Sequence, residues 1–389
     1  MATVPAAYPF IKVLIDTSQL TPIAQRAPGV IAIVGETGGA GTAPVNVPLV
    51  VDSLAQAATL FATVSATGVV TSTKLYAAIK VALLQNPQPS KIYAVKVDGT
   101  SYDAALGALE AADDVTFVSL AGISTVATLA KLKDHAEQMS AAGAKRIAVM
   151  MIDPSVAKSA TYATTVNAGL TGTPNLKSSV SRVIMVAARG AVDDDGDPAD
   201  TATAAMAAVA GYQPQTSIVL KQLRGITIPV EKQYSPSEIK ALSEFNIVPI
   251  IQPALIVGGG FYFAEGRTFT SDASLLYVDT VRTLDDIDFR LKAGLIGAIG
   301  DARITKPGLI GLKTRIDGVL GPVKRTEMID DYTIDIPVLT ILSRPESAWT
   351  ATERALVTTA RSTRTLDVVL SVELGPQVHV LIIQLQPHY

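Results

Sequence analysis

The chain has 389 residues, 48% hydrophobic and 17% charged, with a formal net charge of −3 and no cysteine. Disulfides, thiolate nucleophiles and Cys-ligated metals are therefore excluded, and no global charge draws the chain to nucleic acid. The length suits two or three domains, and the low charged fraction fits a subunit whose exterior largely meets neighbours, although on composition alone an Ala-rich globular protein is the better reading.

No basic residue precedes Lys12, so the N-terminus does not read as a signal peptide. The first ordered signal is Phe10-Ile11-Lys12-Val13-Leu14-Ile15, a β-like run between Pro9 and Asp16. A linker through Pro22 and Pro28-Gly29 leads to the apolar run 30–34, read as a buried strand ending at Gly35. Ser53 and Gln56 form a capping box that opens a helix over 54–61, and a second helix covers 73–84. Residues 92–97 are the next strand.

From residue 98 helices and strands alternate. Thr100 and Asp103 are expected to cap a helix over 104–111; a strand over 115–120, a helix over 126–141 and strands over 147–152 and 183–187 follow. An Ala-rich helix spans 201–210. Ser235-Pro236-Ser237-Glu238 opens another with a cap, Pro at its first position and Glu at its third, and 247–250 is a strand. This alternation argues an α/β layer with a largely parallel sheet. The most apolar stretch, 247–263, is broken by Pro249, Gln252, Pro253 and Gly258-Gly259-Gly260, so it is not read as a membrane span. With no leader or span read, the chain is expected to be made and kept in the cytosol, or released by lysis.

A long helix is predicted over 284–298, then a Gly-punctuated segment to Gly321, a strand near 332–336, and a helix to about 362 capped by Thr350 and Glu353. The end is all β: Leu366, Val368, Leu370, Val372 and Leu374 alternate with Asp367, Val369, Ser371 and Glu373, giving one apolar face. Gly375-Pro376 breaks the run, and 378–385 is then nearly all apolar, as suits a strand covered on both faces.

Candidate chemistry is thin. The run Gly35-Glu36-Thr37-Gly38-Gly39-Ala40-Gly41-Thr42 resembles a phosphate loop after a strand, but Gly41 stands where the loop's Lys belongs, so a surface loop is preferred. In Asp193-Asp194-Asp195-Gly196-Asp197, aligning Gly196 to the glycine of a calcium loop puts Ala191 and Ala202 at two essential ligand positions; a solvated acidic turn is expected. His135, His379 and His388 are not spaced to share a metal, and His135 reads as a surface position. The carboxylate pairs at 113–114, 285–286 and 330–331 do not converge and read as solvated faces. No cofactor is expected.

The ends are more informative. Termini are normally polar, yet apolar β runs stand at 10–15 and 378–385. Unpaired apolar strands invite edge pairing. Either they add to another subunit's sheet or they fold back into their own domain; the pattern alone leaves both open.

The order of segments resembles the contractile tail sheath family. Pro28-Gly29-Val30, the strand to Gly35, a Gly-rich turn, then Val47-Pro48-Leu49-Val50-Val51-Asp52-Ser53-Leu54-Ala55-Gln56-Ala57 and Leu60-Phe61 look like its opening. Val278-Asp279-Thr280-Val281-Arg282-Thr283 with the following helix, and the ending from residue 352 onward, resemble its C-terminal domain. The resemblance spans most of the chain as an order of elements, least so between 155 and 245.

The resemblance implies an α/β (mixed α+β) protein: an N-terminal linking arm over 1–26, an α/β outer domain over 27–255, a tube-facing core domain over 256–365, and a C-terminal strand and arm over 366–389. Subunits would stack as hexameric rings around a tail tube, with baseplate and tail terminator proteins as further partners, no nucleic acid and no membrane insertion. The sheath would be assembled in the host cytoplasm, become part of a virion, and contract to drive the tube through an envelope, without nucleotide. Phe10, Ile11, Val13, Ile15, Val378, Val380, Ile382 and Ile383 would lie on the linking strands, Pro22, Pro28, Gly29, Gly375 and Pro376 at hinges, and Glu353, Arg354 and Arg361 against the tube. The competing expectations are the sheath of a headless injection particle and a cytosolic α/β nucleotide-binding enzyme.

Overall fold

Six consecutive residues, Val30–Gly35, form strand β1, and all six are buried. An unbroken apolar strand needs cover on both faces, which a central position in a parallel sheet provides. The computed structural model, which describes residue 27 and residues 29–379, places β1 there. The described residues divide into two compact units: a sheet unit of residues 27, 29–289, 322–335 and 369–379, and a helical unit of residues 290–321 and 336–368.

In chain order the elements are β1, β2 (Pro48–Val50), α1 (Leu54–Phe61), β3 (Thr63–Val64), β4 (Val70–Thr71), α2 (Lys74–Leu83), β5 (Lys91–Lys96), α3 (Tyr102–Ala108), β6 (Phe117–Leu120), α4 (Val126–Ala141), β7 (Ile147–Met151) and α5 (Tyr162–Thr171). Then come β8 (Val183–Ala187), α6 (Thr201–Gly211), β9 (Gln222–Leu223), α7 (Pro236–Glu244), β10 (Val248–Ile251), β11 (Phe261–Phe263), α8 (Val278–Leu295), α9 (Lys306–Arg325), β12 (Asp331–Asp335), α10 (Pro337–Leu342), α11 (Ala351–Thr363) and β13 (Val369–Glu373). The protein is mixed α/β, as the alternation predicts.

The main sheet has the order β2-β5-β1-β6-β7-β8-β10-β11-β9. Strands β5 through β10 in that order pair in parallel, β2 pairs antiparallel with β5, β11 with β10, and β9 with β11. Ile31 and Ile33 point into a core shared with α1, α2 and α6. Val30, Ala32 and Val34 point the other way, into a core with α3, α4, α5 and α7. The period of two along β1 thus feeds two cores, one per face. Residues 201–210 of α6 are all buried. Their small side chains let the backbone come close to the sheet, and Ser119 and Thr203 hydroxyls meet there at 2.8 Å.

In the helical unit, α9 buries Leu309, Ile316, Val319 and Leu320, one stripe at helical spacing. Helix α11 opens with the predicted capping box of Thr350 and Glu353 and buries only Val357 and Ala360.

Several expectations need correction. Helix α8 begins at Val278, not 284; its β-branched first turn disguised it, and Val278, Val281 and Ile287 are buried along it. The Gly-punctuated segment is helix α9, with Pro307 in its first turn, where the missing N–H costs nothing. Helix α3 is preceded by Ser101, which makes no side-chain cap bond, in place of the expected Thr100 and Asp103 pair. The Gln56 carboxamide accepts from Asp52 N–H at 2.9 Å, one residue earlier than a standard box. His135 is buried, with its Nε2 2.9 Å from Arg146 Nη1; helix α4 packs this face on the sheet, which a charged neighbourhood in sequence did not reveal. Asp285 and Asp286 are buried rather than solvated.

Candidate functional site

In an open α/β sheet, ligands bind where the strand order reverses, outside the carboxyl ends of the strands. Here that point lies between β1 and β6. It is occupied by the protein's own carboxylates. Glu36 follows β1 and pairs with Lys74 Nζ at 3.1 Å, while Tyr102 Oη donates to its other oxygen at 3.2 Å. Burial, helped by Glu36, pushes the Tyr102 hydroxyl pKa up, so it remains a donor. Across the crevice the buried Asp200 accepts from Gly122 N–H at 3.1 Å and caps α6 through Thr203 N–H at 2.9 Å. Burial raises the Asp200 pKa.

The glycine-rich loop is closed rather than cradled. Thr42 and Ala43 N–H donate to Thr59 and Leu60 carbonyls at 3.2 and 3.0 Å, and Lys96 Nζ donates to the Ala40 carbonyl at 3.0 Å. Gly41, at φ 76°, lies so close to α1 that a Cβ would fall 2.1 Å from the Leu60 oxygen. Backbone donors committed in this way, beside Glu36, form no anion site. In the acidic turn, Asp193 Oδ1 accepts from Asp195 and Asp197 N–H, and Asp195 pairs with Lys80 at 2.7 Å.

The feature suited to assembly is a two-stranded ribbon. β12 and β13 pair antiparallel from Asp331↔Glu373 to Asp335↔Val369, and among the described residues neither strand pairs with another. The edge of such a two-stranded ribbon is a template for a further strand. Tyr332 and Ile334 on β12, with Leu370 and Val372 on β13, are half-buried on one face; Thr333, Val369, Ser371 and Glu373 are exposed on the other. The alternation read over 366–374 is present, and its pairing partner at 331–335 is what sequence reading missed.

Of the expected linking residues, Phe10, Ile11, Val13, Ile15, Val380, Ile382 and Ile383 lie outside the described residues, as do Pro22, Pro28 and His388. Val378 is 79% exposed and not in a strand. Its neighbours are held within the sheet unit: Gln377 Nε2 donates to the Gln215 carbonyl, His379 Nε2 lies 2.9 Å from Ser217 Oγ, and its ring meets Tyr277 edge-on at 5.1 Å. Gly375 has open room around it, with Asp330 Oδ1 at 3.7 Å from a built Cβ, and Pro376 beside it is exposed. Gly29 is tightly packed: a Cβ there would meet the Ala210 carbonyl oxygen at 2.1 Å.

Glu353, Arg354 and Arg361 share α11. Glu353 accepts from Thr350 N–H at 2.8 Å and takes an ion pair from Arg344. The Thr350 amide, then Arg344, hold its pKa below the ordinary value. Arg354 lies 3.9 Å from Glu346 and remains half exposed. Arg361 Nε donates to the Ile304 carbonyl at 3.4 Å, at the rim of a cavity of about 700 Å³ lined by Leu295, Ile299, Leu309, Leu312, Arg303 and Arg364. The described residues of the helical unit carry ten Lys and Arg against five Asp and Glu, although the whole chain is acidic. No helix among the described residues is long and apolar enough to cross a membrane.

No family model matches the sequence, and no curated protein matches it. Solved structures do match in fold. The sheath complex of the PVC extracellular contractile injection system, in its contracted state, aligns with a TM-score of 0.68 at 14% identity, covering 99% of this chain and 98% of that one. The contracted helical sheath of the anti-feeding prophage aligns at 0.65 and 14%, covering 98% and 99%. A sheath tail protein from Desulfitobacterium hafniense aligns at 0.59 and 13%, covering 84% and 94%. The chain has the contractile sheath fold along almost its full length.

Proposed function

From that shared fold we propose that the chain is the subunit of a contractile sheath, polymerising as stacked hexameric rings around a tail tube and shortening to drive the tube through an envelope. The observation that carries this reading is sheath-type fold coverage of nearly the whole chain, together with a ribbon that has only two strands among the described residues. An open edge accepts a strand from another copy, which fits linking arms at residues 1–26 and 366–389 and a mesh that survives sliding of the subunits. The basic helical unit, with Arg354 and Arg361, suits a tube-facing role against an acidic surface. Shortening needs only a lower-energy packing of the same subunits, so no nucleotide is invoked.

The test is electron microscopy of purified protein with and without residues 1–16 or 376–389. The intact chain should form long tubes, and each truncation should abolish them while leaving the subunit folded. Tubes that persist in both truncations would overturn the arm model.

A second reading, the sheath of a headless injection particle rather than of a virion, is favoured by the near-complete coverage of the sheath of an extracellular contractile injection system. Capsid genes beside this one would decide for the virion, and toxin-loading genes without a capsid for the particle.

A further inference from the structure

The uncharged stretch that breaks between β10 and β11 has an arrangement the sheath reading does not use. Leu255 is 96% exposed and Val257 is 99% exposed at the tip of this loop. The tip is held in place. Gly258, Gly259 and Gly260 follow it at φ 102°, 69° and 109°. Ile256 N–H donates to the Pro253 carbonyl at 3.3 Å, and Tyr262 Oη donates to the Gly259 carbonyl at 3.1 Å. Gln233 Nε2 donates to Gln252 Oε1 at 2.9 Å, tying the loop to the turn that carries Val230, itself 81% exposed. Two large apolar side chains presented to water by a braced backbone await a partner.

We propose that this loop tip is a contact between neighbouring copies of this chain in the polymer, a proposal that rests on the sheath reading. Two such side chains offer well under the ~800 Å² per partner of a free-standing complex. A diffusing partner would not be held by so small a patch. A neighbour already linked at high effective concentration would be, because the ordering cost has been met elsewhere. A bilayer is the poorer occupant: no charged residue lies between Glu244 and Glu265, both flanks are carboxylates, and the loop lacks the basic and aromatic anchors of an interfacial segment.

The experiment compares full-length protein with the double variant Leu255→Ser/Val257→Ser and the conservative Leu255→Met/Val257→Ile. The dispersed double-Ser subunit should keep the wild-type melting temperature, while its critical concentration for tube formation rises at least tenfold; the conservative variant should stay within twofold of wild type. An unchanged critical concentration overturns the contact, and a lowered melting temperature overturns it by showing that the tip packs within its own subunit. Flotation of wild type on phosphatidylcholine–phosphatidylglycerol vesicles, lost in the double-Ser variant, overturns it in favour of a membrane. Wild-type protein that forms no tubes at any concentration overturns the sheath reading itself, and this contact with it.

Discussion

Ile334 lies directly opposite Leu370 across the β12–β13 ribbon, on the half-buried face of a sheet that has two strands among the described residues. A cross-strand apolar pair is worth about 0.2–1 kcal/mol within the subunit. Its burial by a third strand and its flanking copy would be worth more. Leu370→Asp should therefore shift subunit melting little and suppress tube formation strongly. Paired thermal melts and sedimentation check this; a variant that assembles normally would remove the ribbon from the interface.

Arg182 and Asp285 form a two-pronged pair at 2.5 and 2.9 Å with both side chains about nine-tenths buried. Removing one partner strands a charge. Asp285→Ala should cost about 3–5 kcal/mol in urea unfolding. The double variant Arg182→Met/Asp285→Leu should recover much of that loss, because both desolvation costs go together. A double variant as unstable as the single one would contradict this account.

Burial, then Arg146, lowers the His135 pKa from 6.5 to about 4. The unfolded chain takes up a proton near its ordinary pKa while the folded one does not. Stability is therefore full above about pH 6.5 and falls as pH drops toward 4, by roughly 2 kcal/mol after discount for solvent screening. Urea midpoints at pH 7 and 4.5 measure the loss. His135→Gln should flatten that interval, and an equally steep profile in the variant would assign the dependence elsewhere.

Gly29 packs against the end of α6, with the Ala210 oxygen 2.1 Å from a built Cβ, and its carbonyl accepts from Ser90 N–H at 2.9 Å. Gly29→Ala should destabilise the subunit by about 1–3 kcal/mol, as overpacking does. A hinge role alone would change assembly and leave the melting temperature untouched, so the two measurements separate the roles.

On α11 the charges divide. Glu353→Ala removes one half of the capping box and should lower the unfolding midpoint of the helical unit. The double charge reversal Arg354→Glu/Arg361→Glu should leave melting within about 0.5 kcal/mol. That variant should assemble around isolated tubes far less well than wild type. Normal tube-templated assembly would remove these arginines from the tube contact.

Much of this was readable along the chain. The strands at 183–187 and the capping boxes at Ser235 and Thr350 announce themselves, because periodicity and caps are settled by residues three or four apart. So does the alternation over 366–374, whose residues switch between half-buried and exposed at every step. Helix α9 was hidden because Gly308, Gly311 and Gly318 argue locally against a helix, whereas its buried stripe of Leu309, Ile316 and Leu320 is stabilised by neighbours.

The sequence by itself determined the parallel α/β layer and the position of most of its strands and caps. Only the tertiary structure decided that 331–335 pairs with 369–373, that Glu36 fills the crevice beside β1, that His135 and Asp285 are desolvated, and that Leu255 and Val257 are not. Local periodicity says which face of an element is apolar. Pairing and desolvation depend on residues from 11 positions away, as for His135 and Arg146, to 103, as for Arg182 and Asp285, and no pattern along the chain encodes which of them arrives.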